Sequence, residues 1–180
     1  MVNIPAEDVA ESAAQAVRLE KAGCEIIRAA VPTLDDVKLI PTLKEAVNIP
    51  VVADIHFDYR IALACAEAGV DKIRINPGNI GSPDRVKAVA DACRKRNIPI
   101  RIGVNSGSLE KSLLEKYGSP TPEALVESAL GHVKLLNDCD FDDIVISIKS
   151  SDVKLMIAAY RLLAQQVDYP LHLGVTEAGT

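Results

Sequence analysis

Short aliphatic runs recur along this chain, and each is joined to the next by a stretch with helical spacing. That alternation restricts the fold more than any other feature. The extended runs are Cys24–Ala30, Ile49–Ile55, Val70–Asn76, Ile98–Val104, Asp143–Ile148 and Tyr169–Thr176. Before the first of them, Pro5 stands at a favourable first helical position, and Val9, Ala13, Ala16, Val17 and Ala22 recur at helical spacing up to Gly23. Thr33, with Asp35 and Asp36 in the positive first turn, predicts a helix to about Val47; Asp58 predicts one ending at Gly69. Ser82-Pro83-Asp84 opens a helix to about Arg96, a short helix spans 108–117, Thr121-Pro122-Glu123 opens one to about Asn137, and Ser150 or Ser151 caps one to about Val167.

Strands alternating with helices predict right-handed parallel crossovers and the α/β class. A chain of 180 residues is long enough for one well-buried core, and it contains no Trp, 2 Phe and 4 Tyr, so Val, Ile, Leu and Ala must fill that core. Such a composition suits a parallel sheet covered on both faces. The phrases AGCEIIRAAVP, AGVDKIRINPG, IPIRIGVNSG and YPLHLGVTEAG are weak echoes of one another. A closed barrel of this kind needs eight strands and about 250 residues. The reading is therefore a TIM-type (β/α)8 barrel, incomplete here, with about six parallel strands and the first and last strands missing. An open doubly wound sheet, complete at this length, is the competitor, and it too binds its ligand at the carboxyl edge of the strands.

Composition narrows the function classes. The formal charge is −5, with 20 Lys+Arg against 25 Asp+Glu, so no global field draws in nucleic acid or an anionic membrane surface. No apolar run is long enough to span a bilayer, and MVNIPAEDVAE lacks the basic and apolar regions of a signal peptide, so the expected compartment is the cytoplasm. Cys24, Cys65, Cys93 and Cys139 form no C-x-x-C pair and read as reduced core thiols.

The polar residues of the strands gather at the carboxyl ends. Residues two apart share a face, so Asp54 pairs with His56, Arg74 with Asn76, Arg101 with Gly103 and Asn105, and Ser147 with Lys149, while Arg28 and Glu177 end two further strands singly. In a parallel barrel that edge is the rim of the active site. Three guanidinium groups and an ammonium meeting two carboxylates would repel one another unless an anion lay between them, and the planar guanidinium fork matches phosphate oxygens two at a time. The alternative is a set of internal ion pairs to Asp54, Asp71 and Glu177. Lys149 is also placed for a Schiff base, which opens a lyase reading, and a non-catalytic diphosphate-binding barrel is a third. His132, in a helix, reads as a surface or packing residue and His172 as pointing away from the face of Glu177, so neither is a site candidate. NPGNIGSP and GVNSGSLEKS match no nucleotide motif in register and read as tight loops leading into helix N-termini.

The strings VPTLDD, VADIHFDYRIAL, GVDKIRINPGNIG, IRIGVNSGSLEKSLLEKYG, PTPEALVESA, SDV, AYRLLA and PLHLGVTEAG resemble 4-hydroxy-3-methylbut-2-en-1-yl diphosphate synthase, the iron-sulfur enzyme of the methylerythritol phosphate route to isoprenoids. The likeness spans nearly the whole chain; Ser106 and Ser150 stand where the family usually has Ala. The resemblance implies a TIM-like barrel that binds 2-C-methyl-D-erythritol 2,4-cyclodiphosphate at its carboxyl rim, followed by a C-terminal domain holding a 4Fe-4S cluster on three Cys and a Glu. Arg28, His56, Arg74, Arg101 and Lys149 would hold the diphosphate, and Asn105 would touch the substrate's polar groups. Glu177 would act in proton transfer, with Asp54 supporting the set. Reduced flavodoxin or ferredoxin would supply two electrons in a full-length homodimer whose cluster domain caps the partner's barrel. On this reading residues 1–180 are the partial substrate-binding barrel and the iron-sulfur domain is absent from the chain. None of the four Cys matches a cluster ligand, so the chain alone would show no turnover.

Overall fold

Pairs of β-branched residues bounded by Gly, Pro or Asn break the chain into strands just long enough to cross a sheet. The computed structural model describes residues 1–174. Its strands are β1 (Ile27–Ala30), β2 (Val51–Asp54), β3 (Lys72–Ile75), β4 (Ile100–Asn105) and β5 (Ile144–Lys149), ordered in the sheet as they occur in the chain. The helices are α1 (Val9–Lys21), α2 (Leu39–Ala46), α3 (Tyr59–Glu67), α4 (Pro77–Ile80), α5 (Pro83–Arg96), α6 (Lys111–Tyr117), α7 (Pro122–Asn137) and α8 (Val153–Leu163). The class is α/β of the (β/α)8 type, with five of its parallel strands in place.

The chain divides into two compact units, Met1–Ile100 and Arg101–Thr180. In the first, β1 pairs parallel with β2 and β2 with β3, in a register that sets Ala30 opposite Asp54 and Asp54 opposite Arg74. Every residue of β2 is buried, because the sheet is covered on both faces. The Ala-rich α3 packs on α5, and α1 packs on α2. In the second unit α7 packs on α8, with Leu125, Ala129 and Leu136 fully buried. Ile27, Ile55, Ile73, Ile75, Ile100 and Ile102 are also fully buried, so branched aliphatic side chains fill the space that aromatics would take elsewhere.

Local hydrogen bonding shifts several expected boundaries. The first helix starts at Val9 rather than near Pro5, because the Asp8 carboxylate accepts from Glu11 N at 3.1 Å. The residues before it lie along β1 instead, with Val2 N donating to Arg28 O at 2.8 Å. Thr33 is not a helix cap. The buried Asp36 carboxylate reaches back to Thr33 N at 3.1 Å and Oγ1 at 2.5 Å, which forms a 3-10 turn over Asp35–Lys38 ahead of α2. Neither Ser150 nor Ser151 caps α8: Asp152 does, accepting from Lys154 N and Leu155 N at 2.9 and 3.0 Å, and the helix ends at Leu163 rather than Val167. The one-turn α4 lies inside what read as a loop. Asp58, Ser82 with Pro83, and Thr121 with Pro122 open their helices as the sequence predicts. Of the expected sixth strand, Leu171 makes one parallel bridge to Ile146, and the run from residue 175 lies outside the described residues.

Candidate functional site

The register of the first unit brings its charged strand ends together. Arg28, Asp54 and Arg74 share one face, since Arg28 lies two residues before the partner of Asp54 and Arg74 lies directly opposite it. Asp54 is 5% exposed and accepts from Arg74 Nη1 at 2.9 Å on one oxygen; Arg28 Nε lies 3.5 Å from the other. One carboxylate thus sits between two guanidinium groups, and the trio carries a net positive charge. Arg74 is 9% exposed, and among the described residues no acceptor lies within reach of its buried Nε. An N–H buried in that way is costly unless an acceptor reaches it. Arg28 also directs Nε and Nη2 at the Met1 sulfur, at 3.1 and 2.8 Å, a weak acceptor.

The other polar residues of this unit make contacts of their own. His56 is exposed just past β2, and its ring neighbours the exposed ring of Phe57 with centroids 6.1 Å apart. Asn76 uses its Oδ1 to accept from Gly78 N at 3.0 Å, closing the turn into α4. Asp71, offered as an internal ion-pair partner, belongs to the opposite end of the strands, where it binds Lys44 Nζ at 2.6 and 2.7 Å and Val51 N at 2.7 Å. Outside the trio, Phe57, Asp58, Tyr59, Arg60 and Arg85 line a cavity of about 340 Å³. Arg60 hydrogen-bonds Asp58 there and holds its carboxyl below the usual carboxylate range.

In the second unit Arg101, on β4, is 3% exposed, and its Nη1 lies 3.3 Å from both ring nitrogens of His172. That ring, set aside on strand parity, is therefore a neighbour of a candidate residue. A His inside the expected strand Tyr169–Thr176 was the available signal. Asn105 is exposed and its Oδ1 accepts from Gly107 N at 3.1 Å, so its carbonyl closes the loop after β4. Ser147 donates to Ile102 O at 3.2 Å, and Lys149 is half-buried at the end of β5. Glu177 lies outside the described residues. Of the two readings of His132, surface or packing, the structure takes the second: it is 4% exposed on α7, and its Nε2 lies 3.0 Å from Glu110 Oε1, which also accepts from Ser128 Oγ at 3.0 Å.

The whole chain, residues 1–180, matches the family model described as the GcpE TIM-barrel domain. The chain belongs to that family. It is 62% identical over 179 residues to the 4-hydroxy-3-methylbut-2-en-1-yl diphosphate synthase (flavodoxin) of Pseudomonas paraeruginosa, covering 99% of this chain and 48% of that protein. It is 60% identical over 180 residues to the synthase of the same name from Clostridium perfringens, covering 52% of it. The chain thus spans about half the length of the curated relatives it matches. Among solved structures, the Yersinia pestis dihydropteroate synthase matches with a TM-score of 0.63 at 15% identity, covering 91% of this chain and 65% of that one. The Thermotoga maritima phospho-2-dehydro-3-deoxyheptonate aldolase matches with a TM-score of 0.63 at 14% identity, covering 92% and 47%. At such identities the likeness speaks for the fold alone.

The donor chemistry of the described residues does not suit an iron-sulfur cluster. Cys65 and Cys93 are buried, and desolvation pushes both thiols up to about 12, against the thiolate that a cluster requires. Cys24 and Cys139 are half-buried in two different connections, before β1 and after α7, and among the described residues no three His, Cys, Asp or Glu side chains are grouped to hold a metal.

Proposed function

We propose that this chain is the substrate-binding barrel of a synthase that converts 2-C-methyl-D-erythritol 2,4-cyclodiphosphate to (E)-4-hydroxy-3-methylbut-2-enyl diphosphate. The overall change takes up two electrons and two protons, opens the cyclic diphosphate and releases one water. Reduced flavodoxin, which the names of the relatives include, or ferredoxin is the proposed donor, to a complete protein acting as a homodimer in the cytoplasm. The cluster that transfers the electrons is assigned to chain beyond residue 180, so no step is routed through residues 1–180 except binding, orientation and proton movement.

The observation that carries this reading is the Arg28–Asp54–Arg74 trio, in which a single buried carboxylate leaves guanidinium charge and a buried N–H for an anion to meet. A diphosphate offers several oxygens to such donors, and charge-assisted bonds to them are the strong class. We assign Arg28, Arg74 and His56 of the first unit, and Arg101, Asn105 and Lys149 of the second, to the substrate. Asp54 orients the two arginines, and Glu177 serves as the proton-transferring carboxylate.

Titration calorimetry of the complete polypeptide with the cyclodiphosphate tests the assignment. Arg74→Ala is expected to weaken binding about 100-fold, the loss of a charged fork buried with its ligand. Unchanged affinity would remove Arg74 from the site. A second measurement concerns the chain alone: incubation of residues 1–180 with iron and sulfide is expected to leave no stable visible chromophore after desalting, and a persistent one would overturn the assignment of the cluster to the missing half.

A further inference from the structure

The second unit holds an arrangement that the strand-end pattern does not pick out. Arg101 Nη1 lies 3.3 Å from Nδ1 and 3.3 Å from Nε2 of His172. Equal distances to both nitrogens restrict the approach, because a nitrogen arriving in the ring plane at that range would run into Cε1. The guanidinium nitrogen therefore sits over the face of the imidazole, the side of a flat ring against which arginine packs.

The backbone under that ring is held from both sides. His172 N donates to Ile146 O at 2.8 Å, and His172 O accepts from the Tyr160 hydroxyl at 2.5 Å. The same hydroxyl accepts from Ile148 N at 2.8 Å and lies 3.0 Å from Ile148 O. Tyr160 is 7% exposed on α8, so helix, strand and incoming segment meet at one buried phenol. Burial raises the pKa of that phenol, which keeps it a donor across the physiological range.

We propose that His172 is a positioning residue for Arg101: its ring, carried on a backbone held by Tyr160 and Ile146, is the platform that fixes the direction of the guanidinium donors. The inference rests on the reading of Arg101 as a diphosphate contact. Arginine loses much rotamer freedom when it binds, and a platform that has already ordered the group lowers that cost. The ring face carries the effect, so an aromatic replacement should serve where a polar one does not.

The test is titration of the complete polypeptide with the cyclodiphosphate, with each variant's melting temperature taken alongside. His172→Ala is expected to bind about tenfold more weakly, His172→Phe to stay within about twofold of the parent, and His172→Gln to remain weak. Arg101→Ala is expected to bind about 100-fold more weakly, and adding His172→Ala to it to cost nothing further, since a platform with nothing to hold is silent. Parental affinity in His172→Ala, additive losses in the double variant, or rescue by Gln and not by Phe would each overturn the proposal. Should His172→Ala melt too low to titrate, the Phe and Gln variants decide it between them. Parental affinity in Arg101→Ala would instead remove the diphosphate reading of Arg101, and the two failures are thereby told apart.

Discussion

Two carboxylates stand at opposite ends of the same pair of strands and are used in opposite ways. Asp71, just before β3, is about one-third exposed, and every bond it makes is accounted for: Lys44 Nζ on both oxygens and Val51 N on one. Asp54, the last residue of β2, is buried and outnumbered, one carboxylate facing Arg28 and Arg74. The first arrangement is saturated and neutral, and it staples α2 to the start of β2. The second is left with charge and, among the described residues, with a buried N–H that no acceptor meets. In parallel barrels the amino-terminal face serves stability and the carboxyl-terminal face serves function, and here the difference is visible in the arithmetic of donors and acceptors.

The largest expected effect tests that contrast directly. Arg74→Met alone should destabilise the protein by about 3 kcal/mol, because it leaves Asp54 buried with only the more distant Arg28. Arg74→Met combined with Asp54→Leu should recover most of that stability in urea unfolding, since replacing both partners with apolar groups of similar volume is often neutral. Diphosphate binding should stay lost in both. If the double variant still bound the ligand at parental affinity, the trio would be a packing device like its counterpart at the other end.

A smaller effect is expected from Asp71→Asn. The lost charge-assisted bonds to Lys44 and Val51 should cost about 1 kcal/mol, reduced by the exposure of the pair, and cyclodiphosphate affinity should not change. A change in affinity would break the separation of the two ends.

Much of this was legible in the sequence. The gathering of polar residues at the carboxyl ends of the strands put Arg28, Asp54 and Arg74 at one edge, and the register, which parity within a strand cannot supply, sets the three on one face. Alternation gave the parallel α/β class but left two strand orders open, that of a barrel and that of a doubly wound sheet; the sheet has the sequential order. Caps were legible where side chain and helix start are adjacent, as at Asp58 and Thr121, and illegible where two polar residues compete within a few positions. Asp36 and Thr33 show why: either could cap, and the longer reach of the carboxylate decides it in favour of a 3-10 turn. His172 was missed because its neighbour Arg101 is 71 positions away, and parity within one strand says nothing about what a neighbouring strand presents. Asn105 and Asn76 were read as strand-end polar groups, whereas each spends its carbonyl on its own loop, a local bond that composition cannot separate from ligand binding.

A third carboxylate carries the comparison into the second unit and predicts the smallest effect. Glu110 is shared by Ser128 and by His132, whose ring is nearly fully buried on α7. Desolvation lowers the His132 pKa, and the opposing pull of Glu110 does not cancel it. The unfolded chain carries this imidazole at its ordinary value of 6.5 and takes up a proton near that pH, while the folded protein does so only at lower pH. Between those points the unfolded state binds more protons, so stability falls as pH drops below about 6.5 and is independent of this group above it. Urea unfolding from pH 7.5 to 5.5 should show that decline in the parent. His132→Phe should be less stable than the parent at pH 7.5, having taken from Glu110 its imidazole partner, and should show a shallower decline toward pH 5.5. Equal slopes in the two proteins would mean that His132 is protonated in the fold, and that Glu110, like Asp54, is a carboxylate matched to a cation.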